Sequence, residues 1–272
     1  MFRQDLKRGL TSWGFWLGTV VFASSLILIT LAFTPSGDGA ETPLNAFSAA
    51  FMGQIAYLPP LLCVLPLGTV FYDEWSSRFY RLSVSRVGWQ HYTLKRVLSG
   101  AVLGGLGVML PACIALFFCY SRFQVIPTSP HASTFFGMMY KFPLMRCWVP
   151  WQPAAIAAFT PMQHVRAEAL YALAWLGNLF LFGACWAQLG LAVSAWADDW
   201  AMVLVAPFVI FMFLNWIGSR LQSPWLALRD VIAQSGEILN YPYWMLQAVP
   251  FIWGLLFVLV FMMGMRRRKS LG

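Results

Sequence analysis

Apolar residues in this chain run in six long stretches that contain no charged residue. The stretches cover residues 13–33, 45–72, 97–121, 169–197, 201–219 and 238–265. Each is close to or longer than the ~20 residues that a helix needs to cross a bilayer. None alternates apolar and polar positions as a membrane strand would. The pattern therefore predicts an all-α, polytopic membrane protein, with six transmembrane helices in one transmembrane domain over residues 1–272.

The segment before the first stretch, residues 1–12, has the pattern of a short amphipathic helix. Phe2, Leu6, Leu10 and Trp13 recur at near-helical spacing, and the residues between them are basic or polar. Such a helix lies in the membrane interface; the alternative is a basic flank that only sets topology. The first stretch is longer than a signal-peptide core and no small-residue cleavage site follows it, so a retained helix is expected.

Composition excludes a soluble domain and gives the helices a direction. The chain is 60% hydrophobic and only 10% charged, whereas about a quarter of the residues in soluble domains are charged. The net charge is +8. Basic residues flank the first stretch, fill the segment 73–96 and follow the last stretch. The positive-inside rule then predicts that both termini are cytoplasmic. This leaves no solvated basic face for nucleic acid, and it predicts a multi-pass protein of the bacterial cytoplasmic membrane that contacts membrane lipids.

The inner segment 73–96 carries the densest cluster of charge. An acidic pair at 73–74 ends the second stretch, a helical Arg-containing turn follows, residues 84–87 break it, and a second helix starts near Gly88 and runs into the third stretch. Glu74 and Arg78 lie one helical turn apart, so an ion pair between them would stiffen the segment. The alternative is a solvated loop whose bases only set topology.

This order of elements resembles the permease subunits of ABC-2 type transporters. The positions that match the family's coupling segment are Glu74, Ser77, Leu82, Ser85, Arg86 and Lys95. Arg78 and Arg81, which share a helical face of the same segment, are expected to contact the ATPase with them. The sequence departs from the family pattern near Ser77, where a Gly is usual, and in the break, where a Pro is missing. The resemblance implies a cytoplasmic coupling helix that docks on a pair of ABC ATPase subunits. It also implies a second permease copy or homologue, with helices 1, 2 and 5 at the interface.

The chain lacks the Gly-x-x-x-x-Gly-Lys-Ser/Thr loop that cradles ATP phosphates. Gly100 and Gly104 form a GxxxG pair, which favours close helix packing instead. We therefore expect no cofactor on this chain, no enzymatic activity of its own, and ATP and Mg in the partner ATPase. The expected activity is ATP-driven export of a hydrophobic or amphipathic cargo such as a peptide, lipid or drug.

Few polar residues lie within the apolar stretches. They are Gln54, Asn178, Gln188, Asn215 and Gln247. A cargo pathway could use the first four, or these residues could join helices by hydrogen bonds. The stretches hold no charge, so no buried charge is expected. Asp198 or Asp199 is expected to cap the fifth helix.

The outer loops, residues 122–166 and 220–237, are rich in Pro and aromatic residues, and the second is expected to hold a short half-inserted helix. His164 and Glu168 lie four residues apart, which leaves open an intramembrane enzyme, although no third ligand for a metal site is visible. A non-transporting immunity or assembly factor is the other open alternative.

Overall fold

The computed structural model describes residues 2–33, 43–52, 54–66, 70–72, 74, 84–86, 88–123, 161–197, 199–223, 225–233 and 244–270. These residues form helices joined by turns, and no strand occurs among them. The helices are α1 Phe2–Thr11, α2 Trp13–Phe33, α3 Pro43–Met52, α4 Pro59–Val64, α5 Trp89–Arg122, α6 Pro161–Trp196, α7 Trp200–Leu221, α8 Leu228–Ala233 and α9 Trp244–Ser270. Five of them (α2, α5, α6, α7 and α9) are long and apolar enough to cross a membrane, which indicates a multi-pass membrane protein.

Helices α5 and α6 form the centre of the bundle and run antiparallel. A methyl group added at Gly104 would collide with Ala187, and one added at Gly183 would collide with the carbonyl group of Gly104. Gly100 faces Leu191 in the same way. The close packing predicted for the GxxxG pair is therefore confirmed, because these glycines let the two helix backbones approach.

Helix α9 runs parallel to α6, since Gly254 faces Cys185 and Gly264 faces Trp196. Together with the α5–α6 pairing, this register brings α1, the start of α5, the ends of α6 and α9 and the start of α7 to one end of the bundle. We call it the basic end, because the basic residues of α1, of residues 84–96 and of the α9 terminus lie there. The basic segments that the sequence grouped on one side are thus brought together at one end of the bundle.

The prediction of one continuous helix over 45–72 is wrong. Its described residues form α3, a 3₁₀ turn at Gln54–Tyr57, α4 and a helical turn at 70–72. Pro59 and Pro60 have no backbone N–H to donate, so a continuous helix cannot be hydrogen-bonded through them, and Pro59 instead begins α4. The pieces still run from the opposite end, where Phe47 packs on Trp175, past Gly107, which faces the carbonyl group of Leu62, to Glu74 at the basic end.

The other predicted helices are present. The first is found at the predicted positions, 13–33, and α5 begins at Trp89, which confirms the helix predicted to start near Gly88 and run into the third stretch. The fourth begins at Pro161, inside the predicted outer loop. The last covers 244–270 instead of 238–265. The backbone leaves helical geometry at Gly88, which has a φ of 82° and precedes α5. Residues 84–86 are helical, so they do not form the predicted break. The rest of the first outer loop, 124–160, lies outside the described residues.

Short helix α8 lies in the predicted second outer loop and is packed into the end opposite the basic end. Trp175 Nε1 donates a hydrogen bond to the carbonyl oxygen of Ile232 at 2.9 Å. Gly218 lies against the backbone of Leu226 and Ala227, which folds the chain tightly back onto α7. The short helix expected in this loop is therefore present, and it is buried.

Candidate functional site

Three charged side chains are buried together at the basic end: Asp5 of α1, Glu74 and Arg96 of α5. Their relative exposures are 4%, 9% and 1%. Arg96 Nη2 donates to Glu74 Oε2, and Arg96 Nη1 lies 3.4 Å from Asp5 Oδ1. Arg8, largely exposed, donates to Glu74 Oε1 from the edge at 3.2 Å. This ion cluster, formed by Asp5, Glu74 and Arg96, joins three separate parts of the chain.

The cluster forms because α1 lies directly on α5. Gly9 faces Leu103 so closely that a methyl group there would collide with the leucine side chain. Asp5, one helical turn before Gly9, lies on the same face of α1 and therefore meets Arg96. The guanidinium also lies over the rings of Tyr92 and Phe71, at 5.3 and 6.0 Å from their centroids, so apolar surface encloses the charges.

Electrostatics make this cluster sensitive to the loss of any one member. Burial raises the pKa of Asp5 above its ordinary value of 3.8, and the nearby Arg96 only partly offsets this effect. The second carboxylate oxygen of Asp5, Oδ2, is buried and has no hydrogen-bond partner. Arg96 is thus the charge that balances two buried carboxylates, and removing it would leave both without their shared cation.

The sequence-predicted coupling residues fall into two groups. Glu74, Arg86 and Lys95 are described: Glu74 is in the ion cluster, Arg86 is exposed and Lys95 is half-buried. Ser77, Arg78, Arg81 and Leu82 lie outside the described residues, as does the proposed Glu74–Arg78 pair. The residues described as partners of Glu74 are Arg8 and Arg96.

The expectation that the bundle holds no buried charge is wrong. In sequence, Arg96 lies just before the charge-free third stretch, but its side chain is buried within α5. Sequence reasoning also missed Asp5, the single acid in an otherwise basic amphipathic segment. A single acid among basic residues was the available sign that this position pairs with a cation elsewhere in the protein.

The predicted N-terminal helix is present, and its residues divide between two surfaces. Leu6 and Leu10 are half-buried, and Trp13 is 82% exposed. The side chain of Phe2 lies outside the description. The buried face of α1 carries Asp5 and Gly9, and Leu6 and Leu10 lie at its edge.

Gln188 and Asn215, two of the polar residues considered for a cargo pathway, bond to different parts of the bundle. Gln188 Nε2 donates to the carbonyl oxygens of Val97 and Ala184. Asn215 donates to the Tyr57 hydroxyl at 3.3 Å and accepts from the backbone of Arg229 at 3.2 Å. Asn178 is buried in α6, and the side chain of Gln54 lies outside the description. For Gln188 and Asn215 the bonds are those of residues that join helices.

The structure does not test the alternative of an intramembrane enzyme. His164 and Glu168 lie in α6, but their side chains are outside the description. Among the residues whose placement is described, no group of three His, Cys, Asp or Glu side chains could hold a metal ion. Asp199 does cap α7, as expected, by accepting from the backbone of Ala201 at 3.0 Å.

No protein-family model, no curated protein and no solved structure matches this chain. An ion cluster of this kind fixes the elements that contribute to it to one another, here α1, the residue Glu74 and α5.

Proposed function

We propose that this chain is the membrane-spanning permease subunit of an ATP-driven transporter of the ABC-2 type, and that a separate ATPase subunit drives it. The observation that carries the proposal is the ion cluster. It joins the amphipathic N-terminal helix, the acidic start of segment 73–96 and the first turns of α5 into one body. A permease needs such a body, because it must pass the movement of a soluble partner on to its membrane helices.

The length of α5 supports this role. Its 34 residues extend about 51 Å, well beyond the ~30 Å of a hydrocarbon core. The extra turns lie at the basic end, where Arg96 and Tyr92 anchor them. A push on Glu74 would therefore reach α5 through Arg96, and it would reach α1 because Arg96 also contacts Asp5.

The remaining parts of the proposal follow from this arrangement and from the resemblance. The basic end faces the cytoplasm, and the broken stretch 43–74 counts as the sixth crossing. A second permease copy completes the transporter, and the cargo is hydrophobic or amphipathic and is exported. In the part of the chain that the structure describes, Arg86 is an exposed member of the coupling segment, which makes it the position from which a partner can be captured.

The test is site-specific photocrosslinking in the native membrane. A benzophenone amino acid replaces Arg86, and crosslinked polypeptides are identified by mass spectrometry. The proposal expects a soluble polypeptide with a phosphate-binding Gly-x-x-x-x-Gly-Lys-Ser/Thr loop, and a crosslink yield that changes when ATP is trapped with vanadate. The matched control places the same amino acid at Gln222, an exposed residue at the opposite end, and should capture no such polypeptide.

Two outcomes would overturn the proposal. One is a crosslink from Arg86 only to lipid or to proteins without a nucleotide-binding loop. The other is equal capture of the ATP-binding polypeptide from Arg86 and Gln222, since a docking site cannot lie at both ends of the bundle.

A further inference from the structure

The far end of α9 carries a second cluster of positive charge, which the ion cluster does not use. Arg266 and Arg267 are exposed there, and two further basic residues follow at 268 and 269. They lie directly beyond an apolar surface: Leu256, Leu259 and Met263 are 48%, 59% and 55% exposed. We propose that this surface is a binding site for an anionic phospholipid, with the headgroup phosphate on Arg266 and Arg267.

The spacing of these residues fits a lipid. Leu256, Leu259, Met263 and Arg267 succeed one another at intervals of three and four, so they form one stripe along the helix. From Leu256 to Arg267 the stripe is about 16 Å long, which is close to half of a ~30 Å hydrocarbon core. An acyl chain lying on the stripe in one leaflet would therefore end with its headgroup at the two arginines.

The side chain of Trp196 packs on α9 and forms one side of the headgroup site. The Trp196 ring lies 5.2 Å from the guanidinium carbon of Arg267, and its Nε1 donates to the carbonyl oxygen of Val260 at 3.3 Å. Gly264 makes room for the ring, since a methyl group there would lie 2.5 Å from Trp196 Nε1. Trp196 therefore holds Arg267 beside the stripe, at the depth where tryptophan is favoured in membranes.

Charge selects the class of lipid. Asp199, three residues after Trp196, caps α7 by accepting a hydrogen bond from the backbone of Ala201. Trp200, 57% exposed, lies at the same end and widens the aromatic border. A zwitterionic headgroup would bring its own cation to Arg266 and Arg267, whereas an anionic headgroup brings only the phosphate. The inference depends on the membrane-spanning helices alone, and not on the proposed ATP-driven transport.

The test is native mass spectrometry of the purified full chain in detergent, with dioleoylphosphatidylglycerol or dioleoylphosphatidylcholine added. The wild type should retain phosphatidylglycerol in preference to phosphatidylcholine. Arg266→Gln with Arg267→Gln should reduce that preference by about fivefold for each arginine. The matched control, Arg122→Gln with Arg220→Gln, removes the same charge from exposed positions at the opposite end and should leave the preference unchanged.

The proposal is overturned if the wild type binds both lipids equally, if the double variant keeps the preference, or if the control variant loses it to the same extent. If the double variant does not fold, the wild type in about 0.5 M salt serves instead, and a preference that survives this screening contradicts the proposal.

Discussion

Replacing Arg96 by Met tests whether the ion cluster holds the basic end together. Methionine keeps much of the volume of the arginine side chain but removes its charge. The side chain is 1% exposed and contacts both Asp5 and Glu74. In Arg96→Met, Asp5 keeps its burial without a cation, and Glu74 keeps Arg8, whose side chain is 61% exposed.

The burial and contacts of Arg96 allow the expected loss in the free energy of unfolding to be estimated. Removing one partner of a buried ion pair costs about 3–5 kcal/mol, because the remaining charge is left uncompensated. Replacing a whole buried cluster by uncharged groups is often neutral. We therefore expect Arg96→Met to lower the free energy of unfolding by about 3 kcal/mol or more, and Asp5→Asn with Glu74→Gln to restore most of that loss when added to it.

The assay is unfolding in mixed micelles, with sodium dodecyl sulfate titrated against a mild detergent and helix content followed by circular dichroism. The single variant, the triple variant and Arg122→Met are compared with the wild type. Arg122 is exposed at the opposite end of α5, so its replacement should change the free energy of unfolding by about 0.5 kcal/mol or less. A loss below about 1 kcal/mol for Arg96→Met, or a triple variant no more stable than the single one, would refute the reasoning.

Three further predictions concern single positions. Gly104→Ala should destabilise the bundle by about 1–3 kcal/mol, because the new methyl group collides with Ala187, whereas Gly177→Ala, which has open space around it, should have little effect in the same titration. Because burial raises the pKa of Asp5 above 3.8, the folded state binds the carboxyl proton more tightly than the unfolded state does. The free energy of unfolding should therefore fall as the pH rises from 3.8 through the raised pKa, and Asp5→Asn should abolish this pH dependence. Asn215→Leu should lower the thermal unfolding temperature, because it removes both hydrogen bonds that Asn215 makes to Tyr57 and Arg229; an unchanged temperature would contradict this.

The long apolar helices could be predicted from sequence because their signal is local. The first stretch is uninterrupted from Trp13 to Phe33, and its helix has those limits. The GxxxG pair and the Asp199 cap were also predictable, since each depends on residues within one or two turns. The prediction for the second stretch was wrong because hydropathy does not register the effect of proline on the backbone. Pro59 and Pro60 leave the stretch apolar but interrupt the helix.

The ion cluster could not be predicted, because it depends on long-range contacts. Asp5, Glu74 and Arg96 each occupy a flank of an apolar stretch, where charge ordinarily means solvent. Their burial follows from the seating of α1 on α5 at Gly9, and a periodic pattern on α1 gives no information about which helix it will meet. The segment after the second stretch was identified as important by its charge, but the role of Glu74 as a buried anchor required the structure.

The central claim is that another chain hydrolyses ATP and acts on this one at its basic end. The most direct measurement is ATP hydrolysis by the complex isolated in mild detergent from the membranes in which the chain is made, with wild-type protein and with Arg86→Glu. The account predicts a stoichiometric ATP-binding polypeptide with the wild type, vanadate-sensitive hydrolysis, and loss of that polypeptide when the charge at Arg86 is reversed. If the wild-type chain is isolated without any ATP-binding polypeptide and without hydrolysis, or if Arg86→Glu retains both in full, the claim is contradicted.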